Sequence, residues 1–294
     1  MSELNGVLVV DKPAGWTSFD VLAKLRGVLH TRKLGHSGTL DPMATGVLPV
    51  FVGPARKAVD LQTNHDKEYE SVIRLGERTD TGDVTGTVLE TAPVTVGETE
   101  LKAVLPRFLG PQMQLPPMYS AVKVGGVPLY KAARQGKEVE RTPRPVVIHE
   151  LEYLGPCGPN EYRLRILCGK GTYVRVLLEE IGAALGTVAT MAALRRTRAG
   201  AYTLAGSHTL EEILAAGENV SALLIGLDTV FAHLPALTAD AATAGRLANG
   251  APTWRCGHPV GRYRLYGPDG GFLGVGRCDA DGALRAEKLF IERG

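Results

Sequence analysis

One carboxylate lies in a glycine-rich and otherwise almost uncharged stretch of this 294-residue chain. The stretch is GHSGTLDPMATGVL, residues 35–48, and the carboxylate is Asp41. The glycines are conformationally permissive and Pro42 disfavours helical backbone at the residue before it, so the sequence predicts that Asp41 lies on a loop. An aspartate on such a loop can cap a turn, ligate a metal, or act as a nucleophile or base.

A desolvated catalytic carboxylate needs a positioned cation to keep it ionised. Arg175 is an unusual candidate, because it falls in the first turn of a predicted helix, where the helix dipole disfavours positive charge. An anionic partner would explain this position, and an arginine on the wet face of that helix is the alternative. Metal binding by Asp41 is the least supported of these roles. Only His36 is a second metal-ligating residue at a suitable spacing in the sequence. The other candidate cations are Lys12, Lys33, Lys170 and Arg195.

Residues 121–145 are strongly basic, with six Lys and Arg against two Glu, a local charge of 6 − 2 = +4 in a chain whose net charge is +2. Tyr119 and Tyr130 are interleaved with these cations. A phosphate backbone favours such a segment, and a solvated surface loop is the alternative. The residues expected to contact an RNA backbone are Lys123, Lys131, Arg134 and Lys137.

The composition, with 44% apolar and 22% charged residues, is that of an ordinary globular protein. The four cysteines show no CxxC spacing, so neither a zinc site nor a disulfide framework is indicated. No stretch reaches the ~18 apolar residues of a membrane span, and the first residues lack the pattern of a signal peptide. We therefore expect an untargeted cytoplasmic protein without a membrane anchor.

The hydrophobic patterns predict an α+β fold with a mixed, largely antiparallel sheet. A helix is expected after Ser18 as N-cap, and a second one from Val174 to Gly186. Two strand-like runs, 69–75 and 84–89, are expected to pair as a hairpin across ERTDTGD, and residues 162–168 alternate as a half-buried strand.

The chain changes character after Leu234, where short strands are separated by GPDG and DADG. These turn signals predict a small β-barrel or sandwich with a boundary near Leu237. We therefore expect one domain over residues 1–236, which includes the basic segment, and a second over residues 237–294.

Several motifs in one order resemble those of the TruB-type pseudouridine synthases. GHSGTLDPMATGVL resembles the catalytic motif of that family, and the matching segments run from residue 6 to about residue 200. The resemblance implies a catalytic cleft in the sheet and a C-terminal domain similar to PUA, an RNA-binding β-barrel. The further matching segments are NGVLVVDKPAGWTS, KEYESVIRLGERTDTGD, PPMYSAVKVGGVPLYKAARQGKEV, CGKGTYVRVLLEEIG and ALRRTRAG.

The resemblance also implies roles for individual residues. Asp41 matches the nucleophile, and Tyr69 matches the tyrosine that stacks on the target base and is a candidate proton acceptor. Arg175 matches the arginine that pairs with the aspartate, and His36 matches the histidine that occupies the space left by the extruded nucleotide. The residues that match the rest of the substrate site are Leu194, a wall of the uracil pocket, with Tyr173 and Lys12.

The implied reaction isomerises uridine to pseudouridine at position 55, in the T-arm loop of tRNA, without a cofactor or metal. We expect a monomer that takes the T-arm stem-loop as its partner and has no protein partner. The carboxylate can attack C1′, assist removal of a C2′ proton, or add to C6, and the sequence does not separate these. A non-enzymatic RNA-binding protein and a glycoside hydrolase are the alternatives, although a hydrolase would want two carboxylates.

Overall fold

The computed structural model of the chain describes residues 4–62, 65–253 and 257–291. It is a mixed α+β structure. The strands are β1 Gly6–Lys12, β2 Leu34–His36, β3 Thr45–Val52, β4 Lys67–Leu75, β5 Glu77–Thr79, β6 Val88–Thr91, β7 Gly110–Gln114, β8 Lys123–Val124, β9 Val127–Pro128, β10 Arg144–Gly158, β11 Glu161–Cys168, β12 Ala189–Ala199, β13 Tyr202–Thr203, β14 His208–Thr209, β15 Ala236–Thr238, β16 Gly261–Tyr266, β17 Phe272–Cys278 and β18 Leu284–Leu289.

Helices flank these strands and connect them. The α-helices are α1 Ser18–Val28, α2 Glu98–Val104, α3 Leu129–Ala133, α4 Val174–Ala184, α5 Leu210–Ala216 and α6 Ala241–Ala248. Short 3-10 helices span Gly53–Gln62, Leu105–Phe108, Leu204–Gly206, Gly217–Leu223 and Leu227–Phe231.

A ten-stranded sheet forms the main body, with the order β14-β1-β3-β12-β4-β11-β10-β7 and with β2 and β13 added to β3 and β12. Its pairs are antiparallel except β1 with β14 and β3 with β12. The predicted α+β class with a mixed, largely antiparallel sheet is confirmed. The parallel contact of β3 with β12 joins the strand after Asp41 to the strand that holds Leu194.

Gly46 makes the close crossing of β3 and β12 possible. Its φ is +101°, and a Cβ at this position would lie 2.2 Å from the backbone oxygen of Arg196. Any side chain here would force the two strands apart and would strain the backbone. The glycine near the end of the Asp41 motif therefore has a packing reason that the sequence pattern did not show.

The N-cap of α1 is Thr17, so the prediction of Ser18 is wrong by one residue. The Thr17 hydroxyl accepts from the backbone of Asp20 at 3.0 Å, and the Asp20 carboxylate accepts from the backbone of Thr17 at 2.9 Å. This reciprocal pair forms only at a spacing of three residues, which favours Thr17. Ser18 is buried instead, and its hydroxyl bonds to the backbone of Leu40.

The predicted hairpin between residues 69–75 and 84–89 is also wrong. β6 starts at Val88 and pairs with the short β5, whereas β4 pairs with β11 and β12. Both edges of β4 are taken by long strands that come much later in the chain, and a local pattern cannot show such a pairing. The alternating strand at residues 162–168 and the helix over residues 174–184, by contrast, match β11 and α4.

Strands β15 to β18 form a separate four-stranded sheet with the order β15-β16-β17-β18. Phe272, Val275 and Phe290 of this part pack in one apolar cluster with Val9 and Phe51 of the main sheet. The boundary near Leu237 and the closure of the second sheet into a barrel stay predictions.

Candidate active site

The Asp41 loop, residues 37–44, is shorter than the sequence predicts, because β2 extends to His36 and β3 begins at Thr45. Backbone hydrogen bonds on both sides of Asp41 hold the loop to neighbouring parts of the chain. The Leu40 backbone donates to Ser18 Oγ at 2.9 Å, and the Pro42 carbonyl accepts from the Gly15 backbone at 2.8 Å. A carboxylate on this loop is therefore held against α1 and the turn before it.

Arg175 and Asp41 form a two-point ion pair. Arg175 Nε lies 3.0 Å from Asp41 Oδ2, and Nη2 lies 3.2 Å from Oδ1. The remaining guanidinium donors bond to the carbonyls of Thr81 and Tyr119, the latter at 2.8 Å. Because Arg175 is 4% exposed and held at four points, its position in the first turn of α4 has the anionic partner that the sequence argument required.

The Asp41 carboxyl is buried in part, and the burial raises its pKa above the usual value. The positive charge of Arg175 acts against this shift, whereas the negative charge of Asp83 adds to it. The Asp83 carboxylate lies 3.9 Å from Arg175 Nε, so two acids share one arginine. The Asp41 side chain remains 32% exposed, which leaves it reachable by a substrate.

A cavity of about 350 Å³ opens beside the ion pair. This volume lies within the range of small-molecule sites and suits a single nucleoside. The structure brings six of the seven predicted substrate-site residues to its wall: His36, Asp41, Tyr69, Tyr173, Arg175 and Leu194.

Lys12 is the predicted residue that does not reach the cavity wall. It is fully buried, and its ammonium donates to the carbonyls of Pro13, Trp16 and Pro42 at 2.9, 2.6 and 3.2 Å. Burial lowers the pKa of Lys12 to about 8, and the nearby Asp41 charge opposes that change. The side chain thus supports the Asp41 loop from behind.

Tyr69 lies on β4 and is 7% exposed. Its burial raises the pKa of the phenol, and the neighbouring guanidinium of Arg196 acts in the opposite direction. Leu194 is 8% exposed and lies on β12, the strand paired with β4. In that pairing Leu194 is opposite Ser71 and Arg196 is opposite Tyr69. The ring of Tyr69 and the side chain of Leu194 together give the cavity wall an apolar surface.

Arg196 is a cavity residue that the sequence argument missed. It is 1% exposed and donates to the carbonyls of Val47 at 2.7 Å and Gly38 at 3.1 Å. Arg195, which we proposed as a candidate cation, lies away from the cavity and bonds to Asp11 at 2.7 Å. The available signal was strand alternation, which places consecutive residues on opposite faces, but the face that points to the cavity could not be known from the sequence.

The His36 ring lines the cavity, and among the described residues its buried Nδ1 has no hydrogen-bond partner. Burial, and then the charge of Arg196, lower the pKa of His36. The imidazole is therefore neutral near pH 7 and can insert into apolar surroundings.

Tyr173 is the N-cap residue of α4, and its backbone is clamped to Gln114 of β7 in both directions, at 2.7 and 3.1 Å. Its ring lines the cavity, and burial raises the pKa of the phenol. The clamp also aligns the first turn of α4, where Arg175 begins.

The basic segment, residues 121–145, lies between the neighbouring strands β7 and β10. It contains the β8–β9 hairpin and α3, and its start adjoins Tyr119, whose carbonyl binds Arg175. The four predicted RNA-contacting residues, Lys123, Lys131, Arg134 and Lys137, are all exposed.

Within residues 4–62, 65–253 and 257–291, no group of His, Cys, Asp and Glu is arranged to hold a metal ion. Over the same residues, no helix has the length and apolar character required to span a membrane.

Comparisons with known proteins give matches along most of the chain. A family model described as "TruB family pseudouridylate synthase (N terminal domain)" matches residues 26–174. "tRNA pseudouridylate synthase B C-terminal domain" matches residues 175–231, and "Pseudouridine synthase II TruB, C-terminal" matches residues 235–290.

Two curated relatives and one solved structure resemble nearly the whole chain. "tRNA pseudouridine synthase B" of Pseudomonas fluorescens (strain Pf0-1) is 44% identical over 292 residues, covering 97% of this chain and 95% of the relative. The protein of the same name from Aromatoleum aromaticum (strain DSM 19018 / LMG 30748 / EbN1) is 45% identical over 291 residues, covering 97% and 92%. A chain in the crystal structure of a Cbf5-Nop10-Gar1 complex aligns with a TM-score of 0.73 and 25% identity, covering 99% of this chain and 86% of that one.

The fold and the matching family models are those of a pseudouridine synthase. The chain belongs to the TruB family of pseudouridylate synthases. The prediction of an isomerase of this family is confirmed, and the alternatives of a non-enzymatic RNA-binding protein and a glycoside hydrolase are set aside.

Proposed function

We propose that this enzyme isomerises the uridine at position 55, in the T-arm loop of tRNA, with Asp41 as the nucleophile. The curated relatives named tRNA pseudouridine synthase B support tRNA as the substrate. The observation that carries the proposal is the two-point ion pair of Asp41 and Arg175 beside the cavity of about 350 Å³. The enzyme acts as a cytoplasmic monomer, with the T-arm stem-loop as its partner.

The reaction requires that the target uridine leave its stack, because a carboxylate inside a cavity cannot reach a stacked base. The extruded uracil then lies on Tyr69 and against Leu194, both of which line the cavity. Unstacking costs a few kcal/mol, and the contacts of the base with this apolar wall offset part of that cost. His36, neutral and without a partner for Nδ1 among the described residues, fills the space that the nucleotide leaves in the RNA.

The chemistry breaks the bond between N1 and C1′, turns the base, and forms a bond between C5 and C1′. The proton lost from C5 is balanced by a proton gained at N1, so no oxidant, reductant or energy source is needed. Asp41 as a carboxylate either attacks C1′, adds to C6 or assists removal of a C2′ proton. Burial raises its pKa, and Arg175 opposes that shift and so favours the ionised form.

Tyr69 is positioned for a second role besides stacking. The Arg196 guanidinium next to its phenol favours the ionised form, against the burial that disfavours it. A phenolate at this place would accept the proton that leaves C2′ or C5. Burial has the larger effect and leaves the pKa of the phenol raised, so we propose stacking as the first role of Tyr69 and proton acceptance as a second role for the test below.

The basic segment holds the RNA outside the cavity. Its exposed cations, Lys123, Lys131, Arg134 and Lys137, contact the phosphate backbone of the T-arm stem-loop. Folded RNA is recognised mainly through shape and through splayed nucleotides, which suits an exposed basic surface beside a shaped cavity.

The test is tritium release from tRNA labelled at C5 of uracil. Asp41→Asn keeps the size of the side chain and removes its charge, so it should bind the tRNA and lose turnover by more than about 10³-fold. A tRNA with cytidine at position 55 is the matched control, and it should release nothing with the unaltered enzyme. Clear turnover by Asp41→Asn would refute the assignment of Asp41 as the nucleophile. Release from the cytidine control would refute position 55 as the site of reaction.

A further inference from the structure

The cavity carries more positive charge than a uracil base can use. Among the described residues that line it, four are cations and Asp41 is the one carboxylate. Arg175 is paired with Asp41, and the other three cations of the cavity wall are Lys67, Lys170 and Arg196. Burial lowers the pKa of Lys67, and the positive charges of Arg196 and Lys170 lower it further.

Strand register places Lys67 at the outer rim of the cavity. Lys67 and Tyr69 are two residues apart on β4 and point to the same face, about 7 Å apart along the strand. On β11, Ile166 is paired with Tyr69 and Cys168 with Lys67. Lys170 follows Cys168 by two residues, so the two lysines meet at the same end of the sheet.

The acidic neighbours of Lys67 on the chain are directed elsewhere. Glu68 points to the opposite face of β4, where its carboxylate lies 2.9 Å from Arg165 Nη1. Asp66 lies near Lys67 and favours its charged form, and its Oδ1 is 3.3 Å from His149 Nε2. Lys67 Nζ donates one hydrogen bond, to the His65 carbonyl at 2.7 Å. Because an ammonium group has three donors, Lys67 can also bind an anion.

Gly38 of the Asp41 loop leaves room beside these cations. A Cβ at this residue would lie 3.5 Å from Arg196 Nη1 and 3.6 Å from the Cε atom of Lys67. Its φ of +129° belongs to the region that favours glycine. The loop therefore passes between Arg196 and Lys67 without a side chain to cover the rim.

From this arrangement we propose that Lys67 and Lys170 form a phosphate subsite that binds a phosphodiester next to the extruded uridine. The inference rests on the proposed function, because it requires a nucleotide whose base lies on Tyr69. The ribose joins the base to the phosphate. When the base stacks on Tyr69, its phosphate therefore lies nearer the rim of the cavity, beside Lys67. Arg196 contributes charge from the cavity wall, where it is held by its bonds to backbone carbonyls.

The test is a double-mutant cycle between Lys67 and the phosphates of a T-arm stem-loop. Each of the two phosphates that flank the target uridine is replaced, one at a time, by an uncharged methylphosphonate, and binding is measured by fluorescence anisotropy. For the unaltered enzyme, one of the two replacements should weaken binding about tenfold, because it removes a charged hydrogen-bond acceptor. For Lys67→Gln, the same replacement should weaken binding less than twofold.

Three variants and one further modified RNA separate the subsite from general charge effects. Lys67→Arg keeps the charge and should retain sensitivity to the methylphosphonate, and Lys170→Gln should lose part of it. Lys24→Gln removes an exposed cation of α1 and should leave the tenfold effect unchanged. A methylphosphonate in the stem, remote from the target, should affect all variants equally.

Equal losses in the unaltered enzyme and in Lys67→Gln, or no loss at either flanking phosphate, would overturn the subsite. The natural stem-loop is assayed in parallel for tritium release by the unaltered enzyme. Absence of release there would overturn the proposed function, whereas release combined with absent coupling would overturn the subsite alone.

Discussion

The cavity arginines and the cations of the basic segment carry the same charge but are held in opposite ways. Arg175 and Arg196 are 4% and 1% exposed, and each guanidinium donates to several oxygens of the protein. Lys131, Arg134 and Lys137 are exposed on α3 and the turn that follows it. Arg134 lies over the Tyr130 ring, with its guanidinium carbon 5.6 Å from the ring centre.

We expect this difference in burial to separate a role in catalysis from a role in binding the RNA backbone. A buried and fully bonded arginine is positioned before the substrate arrives, so its charge acts without further reorganisation. An exposed lysine is screened by salt and contributes to RNA binding mainly through counterion release. Substitutions in the cavity should therefore change turnover or folding, and substitutions in the basic segment should change the salt dependence of binding.

The largest effect is expected from Arg175→Met. Loss of both bonds to Asp41 should reduce kcat/KM by about 10³-fold, and the remaining activity should need a higher pH. Arg175 lowers the pKa of Asp41 against the upward effect of burial, so its removal raises that pKa and fewer carboxylates are ionised at a given pH. The measurement is a pH profile of kcat/KM, in which the acidic limb should move upward.

Arg175→Lys is the matched control for that profile. It keeps the positive charge but cannot make the two-point contact, so kcat should fall while the acidic limb stays near its original position. An unshifted limb in Arg175→Met would show that this arginine does not control the ionisation of Asp41.

The adjacent arginines of β12 allow a test of burial. Arg196→Met should lower the free energy of unfolding by about 3 kcal/mol or more, because buried carbonyls of Gly38 and Val47 lose their donor. Arg195→Met should cost less than about 1 kcal/mol, since that side chain is 42% exposed and pairs with Asp11 near the surface. Urea unfolding of both variants measures the difference, and similar losses would contradict the contrast between the two faces.

Tyr69→Phe tests whether Tyr69 accepts a proton or only stacks on the base. If the phenol accepts a proton, its loss should reduce kcat by about 10²-fold or more while binding of the stem-loop is kept. Tyr69→Leu removes the ring as well and should also weaken binding. Near-normal turnover of Tyr69→Phe would leave Tyr69 with stacking alone.

The smallest effect per residue is expected in the basic segment. Replacing Lys131, Arg134 and Lys137 together by Ala should reduce the slope of log K against log salt by about 2, at about 0.7 for each lost phosphate contact. The stability of the protein should hardly change, because the three side chains are exposed. A control that removes Lys24, Arg78 and Lys102 takes away the same charge elsewhere, and an equal change of slope there would argue against a specific grip.

Local signals in the sequence were sufficient for the elements that carry Asp41 and Arg175. The proline and glycines around Asp41 predicted its loop, and the helical spacing after Val174 predicted α4, because both depend on backbone preferences of neighbouring residues. Strand pairing was not accessible in this way. The hairpin assigned to residues 69–75 failed because β4 finds its partners in β11 and β12, about 90 and 120 residues further along the chain.

The sequence by itself determined the family, the loop that presents Asp41, and the unusual place of Arg175 at the start of a helix. Only the tertiary structure decided which charges meet. It brought Arg175 to Asp41, turned Arg196 inward and Arg195 outward, and placed Lys12 behind the loop. The physical reason is that contacts and burial depend on the register of distant strands, whereas turns and helix starts depend on residues a few positions away.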